Sequence, residues 1–280
     1  EMHKRIRDKF NINVDINTFH SLGMKIIAEA RDEKPSITPL HDNLLLQRFL
    51  AQKIEEKKQD PAFLAKLNKF FLAQTEYKSL WDFQSQNEYH KYLRDNDVRS
   101  LNGEIVKSYE ELEIANYLYT NGIQYEYETK YQYSTANKLY GQYKPDFYLT
   151  NDDIYVEHFG IDRNGDTAPY VPREKYNNEI EWKRQTHEEY ETKLIETYSY
   201  DKMEGALLER LQEKLEKEGV QFNQLDQSQV FQKLNDLGMV QPFTQLVSTF
   251  INLFKSSGLN ITELNTKAET HQTPNRAKAF

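Results

Sequence analysis

The chain contains no cysteine. That absence removes disulfides, cysteine-ligated zinc, iron–sulfur clusters and thiol catalysis together, and it fits a reducing, cytoplasmic setting. Long apolar runs are missing too. Nothing approaches the roughly 20 residues of a membrane span and no signal peptide is visible, so no membrane partner is expected. An excess of positive charge is also lacking: 36 Lys and Arg stand against 44 Asp and Glu, a net charge of -8. A nucleic-acid site therefore has to be a local basic patch and not the field of the whole chain. Internal repeats and low-complexity linkers are absent. What is abundant is aromatic: 19 Tyr and 15 Phe supply large side chains that a disordered chain lacks. The 280 residues leave room for two average domains or one with insertions.

The patterning divides the chain in three. Met2, Ile6 and Phe10 recur at helical spacing from the start, and a helical run from Asn275 to Phe280 follows Pro274 and stops abruptly. Neither end carries natural end signals, as expected for a piece of a longer protein. Asp15 to Phe19 reads as a short strand. Leu44, Leu45, Phe49, Leu50 and Ile54, then Phe63, Leu64, Leu67, Phe70 and Phe71, repeat at helical spacing, so 1–102 is expected to be mostly helical. In 103–200, Ser108 opens a helix through Asn121 that Gly122 stops. Tyr125–Tyr133, Tyr143–Thr150 and Asp153–Phe159 read as strands, Arg173–Glu191 as a helix and Lys193–Tyr200 as a strand. Helix, three strands, helix, strand is an α/β unit. In 201–280 Leu207, Leu208, Leu211 and Leu215 form one helical stripe. Val230, Phe231, Leu234 and Leu237 form a second, closed by Gly238, and Pro242 begins a third.

Several ionisable residues in the α/β unit occupy positions where an apolar side chain belongs. Asn151 and Asp152 both tolerate the left-handed backbone of a two-residue hairpin turn, which pairs Thr150 with Asp153 and, four residues further along, Asp146 with Glu157. Opposed like charges destabilise a strand pair unless something neutralises them, and a divalent cation does so. The alternative is a solvated pair of surface acids with the register off by one. Glu111 shares a helix face with Ile114, Ala115 and Leu118, whereas Glu110 and Glu113 are expected to point elsewhere. Ser108 and Glu111 also have capping-box spacing, which gives the acid a purely structural role. On the next helix Lys183 and His187 interrupt a stripe of Tyr176, Ile180, Tyr190 and Leu194. His187 is expected to be a satisfied core histidine, and Lys183 to reach the acids. Gly160, Gly165, Asp166 and Thr167 have phosphate-loop spacing, but Asp166 stands where the loop needs Lys, so a plain turn is expected. Asn260, Ile261 and Thr262 match a glycosylation acceptor without meaning in a cytosolic chain.

The run Lys144, Pro145, Asp146, Phe147, Tyr148, followed by Ile154, Tyr155, Val156, Glu157 and preceded by Glu111, resembles the core of the PD-(D/E)xK nuclease superfamily. Phe159 stands where the simplest pattern has Lys, and Trp182–Lys183 fits members that supply the lysine from the next helix. The flank from Glu1 and Met2 to Ile6, then Thr18, Phe19, His20, Ser21, Leu22 and Gly23, resembles the first RecA-like domain of UvrD/Rep-type superfamily 1 DNA helicases. Together the resemblances imply a PD-(D/E)xK restriction-endonuclease-like domain at 103–200, set between mostly helical helicase segments at 1–102 and 201–280. They also imply DNA, single-stranded or at a junction, and the rest of the helicase chain as partners. ATP is expected only in the full-length parent, because the nucleotide-binding motifs are absent. Glu111, Asp146, Glu157 and Lys183 are the expected catalytic group, with Mg²⁺ or Mn²⁺ on Asp146, Glu157 and Glu111. Thr18, Phe19 and His20, and separately Arg173, Lys175 and Arg184, are the expected DNA contacts. The rival expectations are a catalytically inactive DNA-binding or docking module and a free-standing nuclease.

Overall fold

Thr18 shows how local chemistry decides the first described element. Its hydroxyl accepts the Ser21 N–H at 3.2 Å and caps helix α1 (Phe19–Arg31), so Asn17 and Thr18 are not in the strand expected at Asp15–Phe19 and Phe19 opens a helix instead. The computed structural model describes residues 17–73, 78–240 and 243–270, together with 5 and 9–11. Glu1, Met2, Ile6, Asp15, Pro242 and the run after Pro274 lie outside the described residues. The chain divides into two compact units, 1–56 with 243–258 and 57–242 with 259–280. The sequence-derived cuts after 102 and after 200 both fall inside the second unit.

In the first unit, α2 (Asn43–Lys57) leaves Leu44, Leu45 and Phe49 exposed and buries only Leu46. In the second unit the helices are α3 (Pro61–Ala73), α4 (Gln86–Asp95), α5 (Tyr109–Thr120), α6 (Arg173–Glu189), α7 (Ser199–Met203), α8 (Leu207–Lys217) and α9 (Gln227–Asp236), with a further helix at Ile261–Glu269. Strands β1 (Tyr125–Tyr127), β2 (Phe147–Leu149), β3 (Ile154–Phe159) and β4 (Lys193–Tyr198) form one sheet in the order β1-β2-β3-β4. The first three strands are antiparallel, and β4 runs parallel to β3, as the crossover through α6 requires. The architecture is mixed α/β. Among the described residues no helix is long and apolar enough to cross a membrane.

Every residue of β3 is buried, and the two-residue alternation of the strand divides it between two cores. Ile154 and Val156 join Ile114, Ala115 and Leu118 of α5, Phe147 and Leu149 of β2, and Leu207, Leu211 and Leu215 of α8. Tyr155 joins Tyr131 and Tyr143, with Trp182, Tyr190 and Leu194 packed against them. Glu157, two residues after Tyr155, falls on this second, tyrosine-lined face.

The hairpin between β2 and β3 departs from its expected form. Leu149 pairs with Ile154, leaving a four-residue connection in which Asp153, not Asn151 or Asp152, takes the left-handed conformation (φ 53°). Thr150 N–H donates to Gln124 O at 3.2 Å and so extends the β1 side. The register is nevertheless the expected one, with Phe147 opposite Val156 and Tyr148 opposite Tyr155, so the next pair is Asp146 with Glu157. The strands expected over Tyr125–Tyr133 and Tyr143–Thr150 are shorter, because Glu128 turns left-handed (φ 50°) and breaks the ladder. Residues 160–167 are the expected turn: Asp162 Oδ1 accepts the N–H groups of Asn164 at 2.7 Å and Asp166 at 2.8 Å.

Gly122 ends α5 at φ 67°, and a Cβ there would collide with the backbone oxygen of Asn223, whose own N–H is bonded to Asn121 O at 2.9 Å. Gly122→Ala is expected to cost about 2–4 kcal/mol, combining left-handed strain with a displaced strap. Gly205 has φ 73° with nothing within 4 Å of a Cβ, so Gly205→Ala should cost only about 1–2 kcal/mol. Urea unfolding of both variants measures the difference.

Candidate carboxylate–lysine site

Glu157 is fully buried, and its two oxygens are both held: Oε1 accepts the Tyr143 hydroxyl at 2.6 Å and Oε2 accepts Lys183 Nζ at 2.5 Å. Lys183 reaches it from α6. That helix is anchored two turns earlier by Tyr176, whose hydroxyl oxygen accepts the Gly160 N–H at 3.0 Å at the end of β3. The lysine ammonium also sits 5.5 Å from the centre of the Phe159 ring and 5.6 Å from that of Tyr143. Phe159 thus forms a wall of the lysine's pocket, two residues along the strand from Glu157 on the same face.

Asp146 lies at the entrance to β2, where its Oδ2 accepts the His158 N–H at 2.7 Å. Among the described residues nothing donates to its Oδ1. Glu111 approaches from α5. Its N–H is capped by Ser108 Oγ at 3.0 Å, while its carboxylate accepts the Tyr127 hydroxyl at 2.5 Å and the Lys107 N–H at 3.3 Å. It is therefore both a member of the helix cap and a buried acid. Burial pushes the Glu157 carboxyl up to about 8, with the charge of Asp146 adding to the rise against the pull of Lys183. Burial, again with Asp146, raises Glu111 to about 7. Burial alone would lower the Lys183 ammonium, but Glu157 and Asp146 outweigh it and hold the lysine above its ordinary value. Glu157 and Asp146 thus act on the Lys183 ammonium, while Glu111 is set against Asp146 on one side and the His158 imidazole on the other.

The basic residues expected to meet DNA have partners within the protein. Arg184 forks onto Glu196 at 2.6 and 3.0 Å, Arg173 binds the carbonyls of Asn164 and Gly165 and lies 3.1 Å from Asp166, and Lys175 lies 3.7 Å from Glu179. Thr18, Phe19 and His20 belong to the first unit, where Phe19 is 93% exposed beside the Thr18 cap.

Glu110 does not point away from the core. It is buried, accepts Ser199 Oγ at 2.5 Å and pairs with His158 Nε2 at 2.7 Å, while His158 Nδ1 meets Thr197 Oγ1 at 2.9 Å. Burial works against both charges, but each holds the other ionised, so Glu110 is lowered and His158 raised. The sequence did contain the signal: Glu110 precedes Ile114 by four residues, as Glu111 does by three, so both belong to the inward face. Tyr143 and Tyr127, which orient the two raised acids, carried no comparable signal.

Among the described residues no three Asp, Glu or His side chains are grouped closely enough to hold a metal ion. No protein-family model matches the chain, and neither the curated proteins nor the solved structures contain a significant match.

His187 is the satisfied core histidine expected of its stripe. It is 3% exposed, with Nε2 3.1 Å from the Tyr143 hydroxyl and Nδ1 2.7 Å from Thr192 Oγ1. Because Tyr143 donates to Glu157, a neutral His187 donates from Nε2 and accepts at Nδ1. Burial, reinforced by the Lys183 charge, lowers it to about 4. The unfolded chain takes up this proton near pH 6.5, whereas the folded chain resists until about 4. Its contribution to stability is therefore complete above pH 6.5 and falls by about 3 kcal/mol as the pH drops toward 4. Urea unfolding at pH 7 and 4.5 should show that loss, and His187→Gln should remove its share of the slope.

Proposed function

We propose that residues 103–200 form a metal-dependent nuclease-like domain with a PD-(D/E)xK core, acting on DNA phosphodiesters within a UvrD/Rep-type superfamily 1 helicase. The observation that carries this reading is the ion pair between Lys183 and the buried Glu157. A lysine delivered from the following helix fills the role that Phe159 leaves vacant on the strand. Asp146 and Glu157 offer hard carboxylate oxygens suited to Mg²⁺ or Mn²⁺, which takes one or two carboxylates and completes its shell with water and phosphate oxygens. The repulsion that raises Glu157 and Glu111 is the kind a divalent cation relieves. Asp146 and Glu157 would hold the ion, with Glu111 adding charge from α5. When bound, the ion supplies polarisation of the phosphodiester and a lowered pKa for attacking water.

The chain's own residues do the remaining work. Tyr143 holds Glu157 in one orientation, and Tyr176 anchors the helix that places Lys183. The Lys183 ammonium, kept protonated by the acids around it, stabilises the negative charge that develops on the phosphate. Thr18, Phe19 and His20 would lie along the DNA path of the helicase, supported by the exposure of Phe19. ATP turnover belongs to the parent, since Asp162 and Asp166 occupy the turn that most nearly resembles a phosphate loop.

A second reading is favoured by a specific observation. Both oxygens of Glu157 are already hydrogen-bonded, which suits a docking or DNA-binding module that keeps the fold without the metal. Thermal shift with Mn²⁺ beside a cleavage assay separates the two. For an enzyme, Mn²⁺ at about 100 times its Kd stabilises the protein by about 2.7 kcal/mol. Asp146→Asn abolishes both that shift and cleavage, while Lys183→Ala keeps the metal and loses roughly 10²–10³-fold in kcat. For a docking module, Mn²⁺ produces no shift, and Asp146→Asn simply relieves repulsion and stabilises the fold.

A further inference from the structure

The connection between β1 and β2, residues 128–146, carries groups that the carboxylate–lysine site does not use. Its two arms keep the sheet register after the ladder breaks: Tyr127 pairs with Phe147, and Tyr131 N–H donates to Tyr143 O at 2.9 Å. Lys130 and Lys144 therefore lie on the two facing arms, each next to that bond. Both lysines are exposed and neither has an ion-pair partner among the described residues. Lys138, at the tip of the same connection, is likewise exposed and unpaired. Arg173, Lys175 and Arg184, in contrast, are all engaged internally.

Aromatic rings stand beside these charges. Tyr140, from the tip, lies flat against Trp182 with centroids 4.2 Å apart and planes within 11°. Tyr133 and Tyr190 form a second flat stack at 4.3 Å and 10°. All four rings are partly exposed. The first stack adjoins the acids: Trp182 precedes Lys183 and meets Tyr143 edge-on at 5.7 Å, and Tyr143 donates to Glu157. The tip is held in shape by Asn137, whose Oδ1 accepts the Tyr140 N–H at 2.9 Å and whose N–H donates to Tyr140 O at 2.8 Å.

Unpaired lysines near half-exposed flat rings are the two components by which proteins hold single strands, the charges taking phosphates and the rings taking unstacked bases. We propose that residues 128–146 with Trp182 form a single-stranded DNA platform, with Lys130 and Lys144 on the backbone and the Tyr140–Trp182 stack against a base. The inference rests on the nuclease-like reading and gives its site a substrate class. A duplex keeps its bases stacked on each other and cannot use the rings.

The test measures binding of the full chain in EDTA, by anisotropy, to three labelled probes: oligo-dT of about twelve nucleotides, an abasic strand with the same phosphates, and a duplex of that length. Tyr140→Ala should weaken oligo-dT about 5–10-fold, leave the abasic strand unchanged, and be rescued by Tyr140→Phe. The double variant Lys130→Gln, Lys144→Gln should weaken both strands and reduce the salt slope by about 1.4, from two phosphates at about 0.7 each. Melting curves of each variant check that the fold is kept. Equal affinity for the oligo-dT and abasic strands, or wild-type binding by both variants, overturns the platform. Cleavage in Mn²⁺ beside either result leaves the nuclease reading standing alone, and platform binding without cleavage overturns the nuclease reading alone.

Discussion

A carboxyl group buried in the middle of a sheet is the constraint around which this protein is arranged. Glu157 sits on the central strand with no exposed surface, and an unpaired charge there would cost several kcal/mol. The fold answers with two donors from different parts of the chain: the Tyr143 hydroxyl, from the connection before β2, and the Lys183 ammonium, from the helix after β3. Each is fixed in turn. Tyr143 is braced by Tyr131 and His187, and α6 is tied to the strand end through Tyr176. Moving either element would take away one of the acid's two partners, so α6 and the path of residues 128–146 are both tied to one buried group.

The two faces of β3 handle polarity differently. Toward α5 and α8 the core is aliphatic until His158, where Glu110, Thr197 and Ser199 close a paired, neutralised network. Toward α6 the core is built of tyrosines, whose hydroxyls supply donors where leucines could not. That is a physical reason for the high tyrosine content: a charged site can be buried among large rings only if those rings also form hydrogen bonds. The network at Glu110 balances its charge, whereas Glu157 shares Lys183 with the nearby charge of Asp146. Carboxyl groups held near one another in a native fold carry a cost that has to be offset elsewhere, and the α6 side is where perturbed groups concentrate.

The order of strands and helices was legible from residue spacing, and the Asp146–Glu157 register followed from a two-residue turn at Asn151–Asp152. The observed four-residue connection from Leu149 to Ile154 has the same centre, so the register survives although the turn differs. The turn that joins β2 to β3 was harder to read. Thr150, Asn151, Asp152 and Asp153 all suit a turn, and the bonds that accompany the left-handed Asp153, from Thr150 to Gln124 just before β1 and from Asp152 to Leu149, form only in the folded sheet. Lys183 was legible as an interruption in an apolar stripe. Glu110 was legible too, four residues before Ile114, once the inward face of the helix is allowed the width that its packing gives it. The internal partners of Arg173 and Arg184 were invisible because Asp166 and Glu196 become neighbours only once the chain has folded.

Those partners bear on how a chain of net charge -8 can meet a polyanion at all. An arginine forked onto a glutamate must give up two charge-assisted bonds before it can contact a phosphate, so it contributes little to affinity. An exposed lysine with no ion-pair partner gives up nothing when an anion arrives. Counting basic residues draws attention to the arginines of α6, whereas Lys130, Lys138 and Lys144 on the connection leading into Asp146 have no ion-pair partner among the described residues. On that path a strand held at Lys130 and Lys144 would reach the acids from the side where Tyr140 and Trp182 face the solvent, and the same tyrosine-rich layer that makes Glu157 tolerable would guide the substrate toward it.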